Sequence, residues 1–295
     1  MTSWQVKLPE GEIWPARQYL RQVLGISGTI WKRIKHSGTF MHNGVPANAT
    51  RTQVRNGDTI AYDILRPSDI EPEELPLDIR YEDDFLVIVN KPAGQLVHPT
   101  TKEAHGTLGN ALLAWYARHG EHHAFHPVHR LDRDTSGLVL IAKEPQVQYQ
   151  LTTGRDGKKA FTREYLALIE GTLTPASGLI DAPIARALPS IILRKVAPPP
   201  AGKEARTHYE TVRTNGKFSL LHLVLDTGRT HQIRVHLAHL GHPLLGDDLY
   251  GGSCTLLSRQ ALHAWRLSFR HPMTHEFVVV TAPLPSDMQR IAADF

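Results

Sequence analysis

The chain has 295 residues, of which 41% are hydrophobic and 21% charged, a composition that indicates a folded globular protein and excludes a disordered or fibrous one. The single cysteine, Cys254, excludes an intrachain disulfide and fits a reducing compartment. The sequence contains neither an apolar run of about 18 residues nor a signal-peptide pattern, so we expect a cytoplasmic protein rather than a secreted or membrane one.

The net charge of +4 is distributed unevenly along the chain. Residues 1–66 contain nine basic and four acidic residues, whereas residues 67–84 contain eight acidic residues and one basic residue. The remainder is basic again and holds most of the 18 histidines. Two basic blocks separated by an acidic strip favour a polyanionic partner such as nucleic acid, with an ordinary solvated surface as the alternative.

Two helices are predicted near the N-terminus. The first covers residues 16–24, where apolar side chains recur at helical spacing, and Gly25 ends it. Ser27 is suited to cap the second helix, which covers residues 28–38. The second helix has an apolar face and a basic face, formed respectively by Ile30, Trp31 and Ile34, and by Lys32, Arg33 and Lys35.

Short extended segments and a linker follow these helices. Asn43-Gly44 predicts a hairpin turn between two short strands, and residues 55–64 predict a second turn and a strand. Three prolines in an acidic context with few apolar residues then predict a linker over residues 67–79. We therefore expect a small domain over residues 1–66 and a larger one over residues 80–295.

The larger segment combines many predicted strands with few helices, which favours an α+β fold around a mixed sheet. The strands are predicted at 85–94, 135–143, 162–171, 207–213, 218–226 and 277–283. The helices are predicted at 106–120, 145–151 and 229–241. Residues 188–208 are interpreted as a long basic hairpin with a proline-rich tip, either an RNA-contacting arm or a solvated hairpin.

The densest polar cluster in the sequence is HPVHRLDRDTSG, residues 126–137. It precedes an apolar strand directly, so its polar side chains lie on a loop that leads into rigid structure. Asp132 stands between Arg130 and Arg133, and neighbouring cations favour the ionised carboxylate. Such a carboxylate is suited to act as a nucleophile or a general base, and the alternative is a salt-bridge network within the loop.

The segment HRLDRDTSG, residues 129–137, resembles the signature of the RluA-type pseudouridine synthases, which isomerise uridine in RNA. Residues 81–99, 163–171 and 228–251 resemble further motifs of the same family, so that the resemblance covers residues 80–283. Residues 1–66 resemble the S-four RNA-binding domain. The resemblance implies an α+β catalytic domain with a mixed, mainly antiparallel sheet, behind a small α+β RNA-binding domain.

The resemblance also implies a role for individual residues. Asp132 corresponds to the catalytic aspartate, Tyr165 to the tyrosine that stacks on the target base, and Arg234 to the arginine that pairs with the aspartate. Arg130 corresponds to the arginine that enters the RNA stack when the uridine is flipped out. We further assign RNA contacts to His129, Arg229, Lys32, Arg33 and Lys35.

The implied chemistry detaches uracil from its sugar, turns the base and reattaches it through carbon 5. An ionised Asp132 either attacks the sugar, attacks the base or removes a sugar proton, and we favour proton abstraction through a glycal-like intermediate. No redox or phosphoryl-transfer step is involved, so no cofactor or metal is expected. A base in structured RNA must be extruded, at a cost of a few kcal/mol. The expected partner is RNA, foremost large-subunit ribosomal RNA, with transfer RNA as the alternative, and the protein is expected to act as a monomer.

Two other functional classes remain open at this point. One is a non-catalytic RNA-binding or ribosome-assembly protein on the same fold, which would have no chemical reason to retain Asp132, Tyr165 and Arg234 together. The other is a metal-dependent RNA hydrolase that uses the histidine-rich segment, whose members are His231, His236, His239 and His242.

Overall fold

The computed structural model describes residues 2–63, 68–154, 160–189 and 192–293. The N-terminal part consists of β1 (Thr2–Gln5), β2 (Ile13–Pro15), α1 (Ala16–Gln22), α2 (Gly28–His36), β3 (Thr39–His42), β4 (Val45–Pro46), β5 (Gln53–Arg55) and β6 (Thr59–Asp63). A four-stranded sheet has the order β1-β6-β3-β4, and β2 pairs with β5. The sheets and both helices enclose a hydrophobic core of their own.

Local sequence signals in this part are confirmed by the structure. The Ser27 hydroxyl accepts a hydrogen bond from the Ile30 amide at 3.1 Å and caps α2. Asn43 and Gly44 have φ angles of 50° and 78°, as a type I′ hairpin turn requires. The basic side chains of α2 are exposed and its apolar face is buried. Helix α1 ends at Gln22, two residues before its predicted end.

The rest of the chain forms the larger part of the molecule. Its first half consists of β7 (Ile79–Glu82), β8 (Leu86–Lys91), α3 (Leu108–Arg118), β9 (His126–Pro127), β10 (Ser136–Ala142), α4 (Pro145–Thr153) and β11 (Phe161–Glu170). Its second half consists of β12 (Ser177–Asp181), β13 (Ile184–Arg186), β14 (Arg194–Val196), β15 (Arg206–Thr214), β16 (Phe218–Leu225), α5 (Gln232–His239), β17 (Leu262–Arg270), β18 (Phe277–Thr281) and α6 (Ser286–Ala293). None of the helices in the described ranges has both the length and the apolar composition needed to cross a membrane.

A ten-stranded sheet organises this part and establishes the α+β class. Eight strands follow the order β12-β15-β16-β11-β17-β10-β8-β7, while β18 pairs with β17 and β9 with β10. Strands β10 and β17 are parallel, and the other paired strands are antiparallel. The sheet is therefore mixed and mainly antiparallel, as expected.

Both faces of the sheet are buried at its centre, which explains the unbroken apolar runs in the sequence. In β8, Val87 and Val89 face the core that contains α3, whereas Leu86 and Ile88 face the core that contains α4. Strand β11, predicted as an alternating strand, is buried on both faces for the same reason. Strand β17 lies between β11 and β10 and was not predicted, because its polar residues interrupt the apolar pattern.

The interpretation of residues 188–208 as one hairpin with a proline-rich tip is wrong. The hairpin is formed by β13 and β14, which pair over residues 184–196, and its tip includes residues 190–191, which lie outside the described residues. Pro198–Pro200 follow the second strand and belong to the connection that leads into β15. The pairing register explains why the hairpin lies earlier in the chain than predicted. Ile184 pairs with Val196, which leaves the prolines beyond the paired residues.

Three hydrogen bonds join the N-terminal part to helix α4 of the larger part. Gln146, near the start of α4, is almost fully buried and accepts a hydrogen bond from the Tyr62 hydroxyl, while its amide donates to the Leu24 carbonyl. Gln150, one turn later, donates to the same carbonyl at 2.6 Å. The acidic segment before β7 also packs on the larger part, since Ile70 and Leu77 contact its core.

Candidate active site

The loop between β9 and β10 carries Asp132 and is held at both ends by the sheet. The Thr135 amide donates to the Asp132 carbonyl at 3.2 Å and closes a turn, while the Leu131 side chain is buried in the core. Gly137 has a φ of 113°, and a Cβ there would lie 2.3 Å from the Ala264 carbonyl oxygen. Only glycine therefore permits β10 to approach β17 so closely directly after the loop.

A buried lysine supports this loop from beneath. The ammonium group of Lys91 donates to the carbonyls of Pro92, Gln95 and Arg133 at 2.7–2.8 Å. Burial lowers the pKa of Lys91 to about 7, whereas the charges of Asp134 and Asp132 act in the opposite direction. The lysine thereby ties the loop after β8 to the loop that carries Asp132.

A cleft of about 210 Å³ opens above Asp132. Residues far apart in sequence line it, because β11, α5 and the Asp132 loop come together around it. The lining includes six of the nine residues that sequence analysis selected, namely Asp132, Tyr165, Arg234, His129, Arg130 and Arg229. The other three, Lys32, Arg33 and Lys35, lie on α2 and do not line the cleft.

Arg234 is buried and shared between two carboxylates. Its Nε and Nη2 atoms each donate to Asp247 at 2.7 Å, whereas its Nη1 atom lies 3.4 Å from Asp132 Oδ2. Both carboxylates raise the pKa of Arg234 against the opposing effect of burial. The guanidinium orientation is therefore set by Asp247, and the Nη1 atom is directed at Asp132.

The cations that flank Asp132 in sequence do not hold it in the fold. The Arg133 guanidinium turns away and binds Glu103 with two nitrogens. Arg133 is therefore paired with Glu103 and not with Asp132. Arg234, distant in sequence, approaches Asp132 instead.

Tyr165 forms an aromatic wall of the cleft from the middle of β11. Its side chain is buried, and a register shift against β17 occurs between Glu164 and Tyr165. Burial raises the pKa of Tyr165, and the Asp132 charge adds to this, whereas Arg163 opposes it. The phenol is therefore neutral at physiological pH and offers an aromatic face together with one O–H.

The sequence that forms this site matches a known family. Residues 85–239 match the family model described as RNA pseudouridylate synthase. The chain belongs to the RNA pseudouridine synthases. It is 43% identical over 246 residues to the uncharacterized RNA pseudouridine synthase YhcT of Bacillus subtilis, which covers 82% of this chain and 80% of the relative. It is 41% identical over 267 residues to ribosomal large subunit pseudouridine synthase D of Vibrio cholerae, a match that covers 85% of this chain and 81% of the relative.

A solved structure also resembles this synthase. Human RNA pseudouridylate synthase domain containing 1 matches it with a TM-score of 0.57 at 26% identity, over 74% of this chain and 86% of the human one. The fold class and the resemblance to the RluA-type enzymes are thereby confirmed. The synthase is an isomerase that acts on uridine in RNA.

Sequence analysis missed Asp247 and Tyr250 beside the cleft, and it named His231, which lines the cleft, only as a member of the histidine-rich segment. Asp247 holds Arg234, and Tyr250 and His231 bind one another beside it, with 2.8 Å between the Tyr250 hydroxyl oxygen and His231 Nδ1. The signal was present, since all three lie in the segment 228–251 that resembles a family motif, but residue type alone did not distinguish them from packing residues. Burial lowers the pKa of His231, so its imidazole is neutral at physiological pH.

The cleft residues assigned to RNA contacts differ in their exposure and in their hydrogen bonds within the synthase. Arg130 and Arg229 are exposed at the cleft, and Arg229 donates through Nε to the Glu204 carbonyl at 2.9 Å. His129 accepts a hydrogen bond from the Leu140 amide at 3.2 Å and stacks on Phe161. His129 therefore acts first as a support of the loop.

The histidine-rich segment does not converge on one point. Buried His236 contacts Thr207 Oγ1 and the Ala182 carbonyl, each at 2.9 Å, while His242 contacts the Glu170 carbonyl at 2.8 Å. Within the described ranges, no three histidine, cysteine or acidic side chains are arranged to hold a metal ion. These rings instead fasten α5 and its following loop to the sheet.

Proposed function

We propose that the cleft above Asp132 is the active site of the isomerisation, with Asp132 as its catalytic carboxylate. One observation carries this proposal. The Asp132 carboxylate is about 20% exposed at the cleft, beside the aromatic face of Tyr165 and the Nη1 atom of an Arg234 that Asp247 already fixes. A reactive oxyanion, a stacking surface and an oriented cation are the groups that the reaction needs in one place.

The chemistry assigned to these groups balances without an external reactant. As the C1′–N1 bond breaks, its electron pair leaves with uracil, and Asp132 removes the proton from C2′ to give a glycal-like intermediate. The base turns against Tyr165, carbon 5 bonds to C1′, and the proton returns to C2′. The C5 proton is finally lost to solvent and N1 takes up a proton, which restores the neutral base. In this scheme Arg234 holds Asp132 in line with the sugar, and the neutral Tyr165 contributes stacking rather than a phenolate base.

The substrate uridine enters the cleft after it has left the RNA stack. Arg130 is exposed at the cleft on the same loop as Asp132, which suits it to occupy the vacated space. Residues 1–66 serve as an RNA-binding domain of the S-four type, joined by residues 67–79 to a catalytic domain over residues 80–295. The exposed basic face of α2 contributes phosphate contacts, which position RNA without reading its sequence.

We place the target in large-subunit ribosomal RNA and the synthase in the cytoplasm as a monomer. Support for the target comes from relatives named ribosomal large subunit pseudouridine synthase D, which are about 41% identical over more than four fifths of this chain. A transfer RNA target is the alternative.

Mapping pseudouridine at base resolution tests the site and the target together. Ribosomal and transfer RNA from cells that lack the protein are compared with RNA from cells complemented with the intact chain, Asp132→Asn or Asp134→Asn. Asp134 lies on the same loop, so its variant is a matched control. We expect sites in large-subunit RNA that the intact chain and Asp134→Asn restore and Asp132→Asn does not. Restoration by Asp132→Asn would refute the assigned active site, and loss of sites only in transfer RNA would refute the assigned target.

A further inference from the structure

Tyr250 lies behind the active site and contacts three different segments. It ends a short 3-10 turn, Asp248–Tyr250, and is partly buried. Its hydroxyl accepts a hydrogen bond from the Arg194 amide of β14 at 3.1 Å and lies 2.8 Å from His231 Nδ1. The Arg234 guanidinium lies over its ring, 5.1 Å from the centroid. One side chain thus joins the β13–β14 hairpin to two residues beside Asp132.

The Asp132 carboxylate favours one tautomer of His231. A backbone N–H only donates, so one lone pair of the Tyr250 oxygen accepts from Arg194, and the hydroxyl proton is available to donate to His231 Nδ1. Burial keeps His231 neutral, and its single proton is then on Nε2. Nε2 lies 3.8 Å from Asp132 Oδ2, where an N–H facing a carboxylate is favourable and a lone pair is not.

The backbone at His231 adds an independent indication. His231 is the N-cap of α5 and has a φ of 57°, in the left-handed region that is uncommon for residues other than glycine. Such strained positions concentrate at functional sites, where surrounding contacts hold them. Here the contact that holds the ring is the Tyr250 hydroxyl.

We propose that Tyr250 is a positioning residue of the isomerisation, which fixes His231 with its Nε2–H directed at Asp132 and supports Arg234 with its ring. This inference rests on the proposed active site. The hydroxyl acts through His231, whereas the ring acts through Arg234, so the two functions are separable by substitution. Through the Arg194 amide, the position of the β13–β14 hairpin is transmitted to the same two residues.

The test compares Tyr250→Phe with a matched control. Tyr250→Phe removes the hydroxyl and keeps the ring over Arg234. Tyr209→Phe removes a hydroxyl that bonds the Pro175 carbonyl at 3.3 Å, in a residue that does not line the cleft. The probe is total RNA labelled with [5-³H]uridine from cells that lack the protein, since isomerisation releases tritium from carbon 5. Single-turnover rate with excess enzyme, RNA affinity and free energy of unfolding are measured for each variant.

We expect Tyr250→Phe to lower the single-turnover rate about tenfold and to leave RNA affinity within about twofold, with a loss of stability no larger than that of Tyr209→Phe. In the His231→Ala background, Tyr250→Phe should lower the rate no further. A rate for Tyr250→Phe equal to that of Tyr209→Phe, or an effect of the same size in both backgrounds, would overturn the proposal. Asp132→Asn is run in parallel, because its activity tests the proposed active site independently of Tyr250.

Discussion

Lys91 offers the most direct way to test whether the Asp132 loop must be held rigidly. The substitution Lys91→Met keeps the length of the side chain and removes the ammonium group. Three hydrogen bonds to the carbonyls of Pro92, Gln95 and Arg133 are lost. Of these acceptors, the Arg133 carbonyl retains a bond from the Gly94 amide at 3.0 Å.

The expected loss of stability follows from these contacts. At about 1 kcal/mol for each hydrogen bond, the substitution should lower the free energy of unfolding by about 3 kcal/mol. Part of the loss is regained because a buried ammonium group no longer has to be desolvated. The effect on catalysis has a different origin. The Arg133 carbonyl is adjacent to Asp132, so loss of its hydrogen bond from the Lys91 ammonium group lets the Asp132 carboxylate move. We expect the single-turnover rate to fall at least tenfold.

Urea denaturation and tritium release from [5-³H]uridine-labelled RNA measure the two effects separately, at a temperature where the variant is folded. Lys143→Met is the control, because Lys143 is equally buried but pairs with Glu82 and Glu121, which do not line the cleft. It should lose stability and keep its rate per folded molecule. If Lys91→Met kept the same rate as Lys143→Met, the argument that this lysine holds the catalytic loop would be refuted.

Three further predictions concern docking, acid stability and RNA affinity. Gln146→Leu removes both hydrogen bonds of that side chain with the N-terminal part, so amide hydrogen exchange at residues 24–26 should accelerate about tenfold. The control Gln148→Leu should leave this exchange unchanged, because Gln148 bonds the Pro127 carbonyl instead. Burial lowers the pKa of His263 from 6.5 to about 4. Its contribution to the free energy of unfolding, up to about 3 kcal/mol, is therefore complete above pH 6.5 and is lost as the pH falls toward 4. Chemical denaturation across this window should show a shallower decline for His263→Gln, and an unchanged slope would contradict the assignment. A triple alanine variant of Lys32, Arg33 and Lys35 removes the basic face of α2 and should weaken RNA binding. In filter-binding assays, the slope of log K against log salt should fall in magnitude by about 1 for each lost phosphate contact. An unchanged salt dependence would remove α2 from the RNA-binding surface.

Much of the local structure followed from the sequence because it depends on near neighbours. The cap at Ser27, the turn at Asn43-Gly44 and the strand after the Asp132 loop each depend on a few adjacent residues, and each is confirmed. Strand β17 escaped prediction because its conformation is imposed by the three strands that pair with it rather than by its own pattern. The β13–β14 hairpin was misplaced because its register is decided by pairing, not by the position of the prolines.

The family, the α+β class and the loop that carries Asp132 could be recognised from the sequence, since motif residues and apolar periodicity are local properties of the chain. Which side chains face one another depends instead on the tertiary structure. In the folded protein Arg133 binds Glu103, and Arg234 binds Asp247 as well as approaching Asp132. Tyr250 contacts His231. These pairings depend on how β11, α5 and the loop after β9 come together around the cleft. Packing of distant segments sets that meeting point, and no spacing within the sequence encodes it.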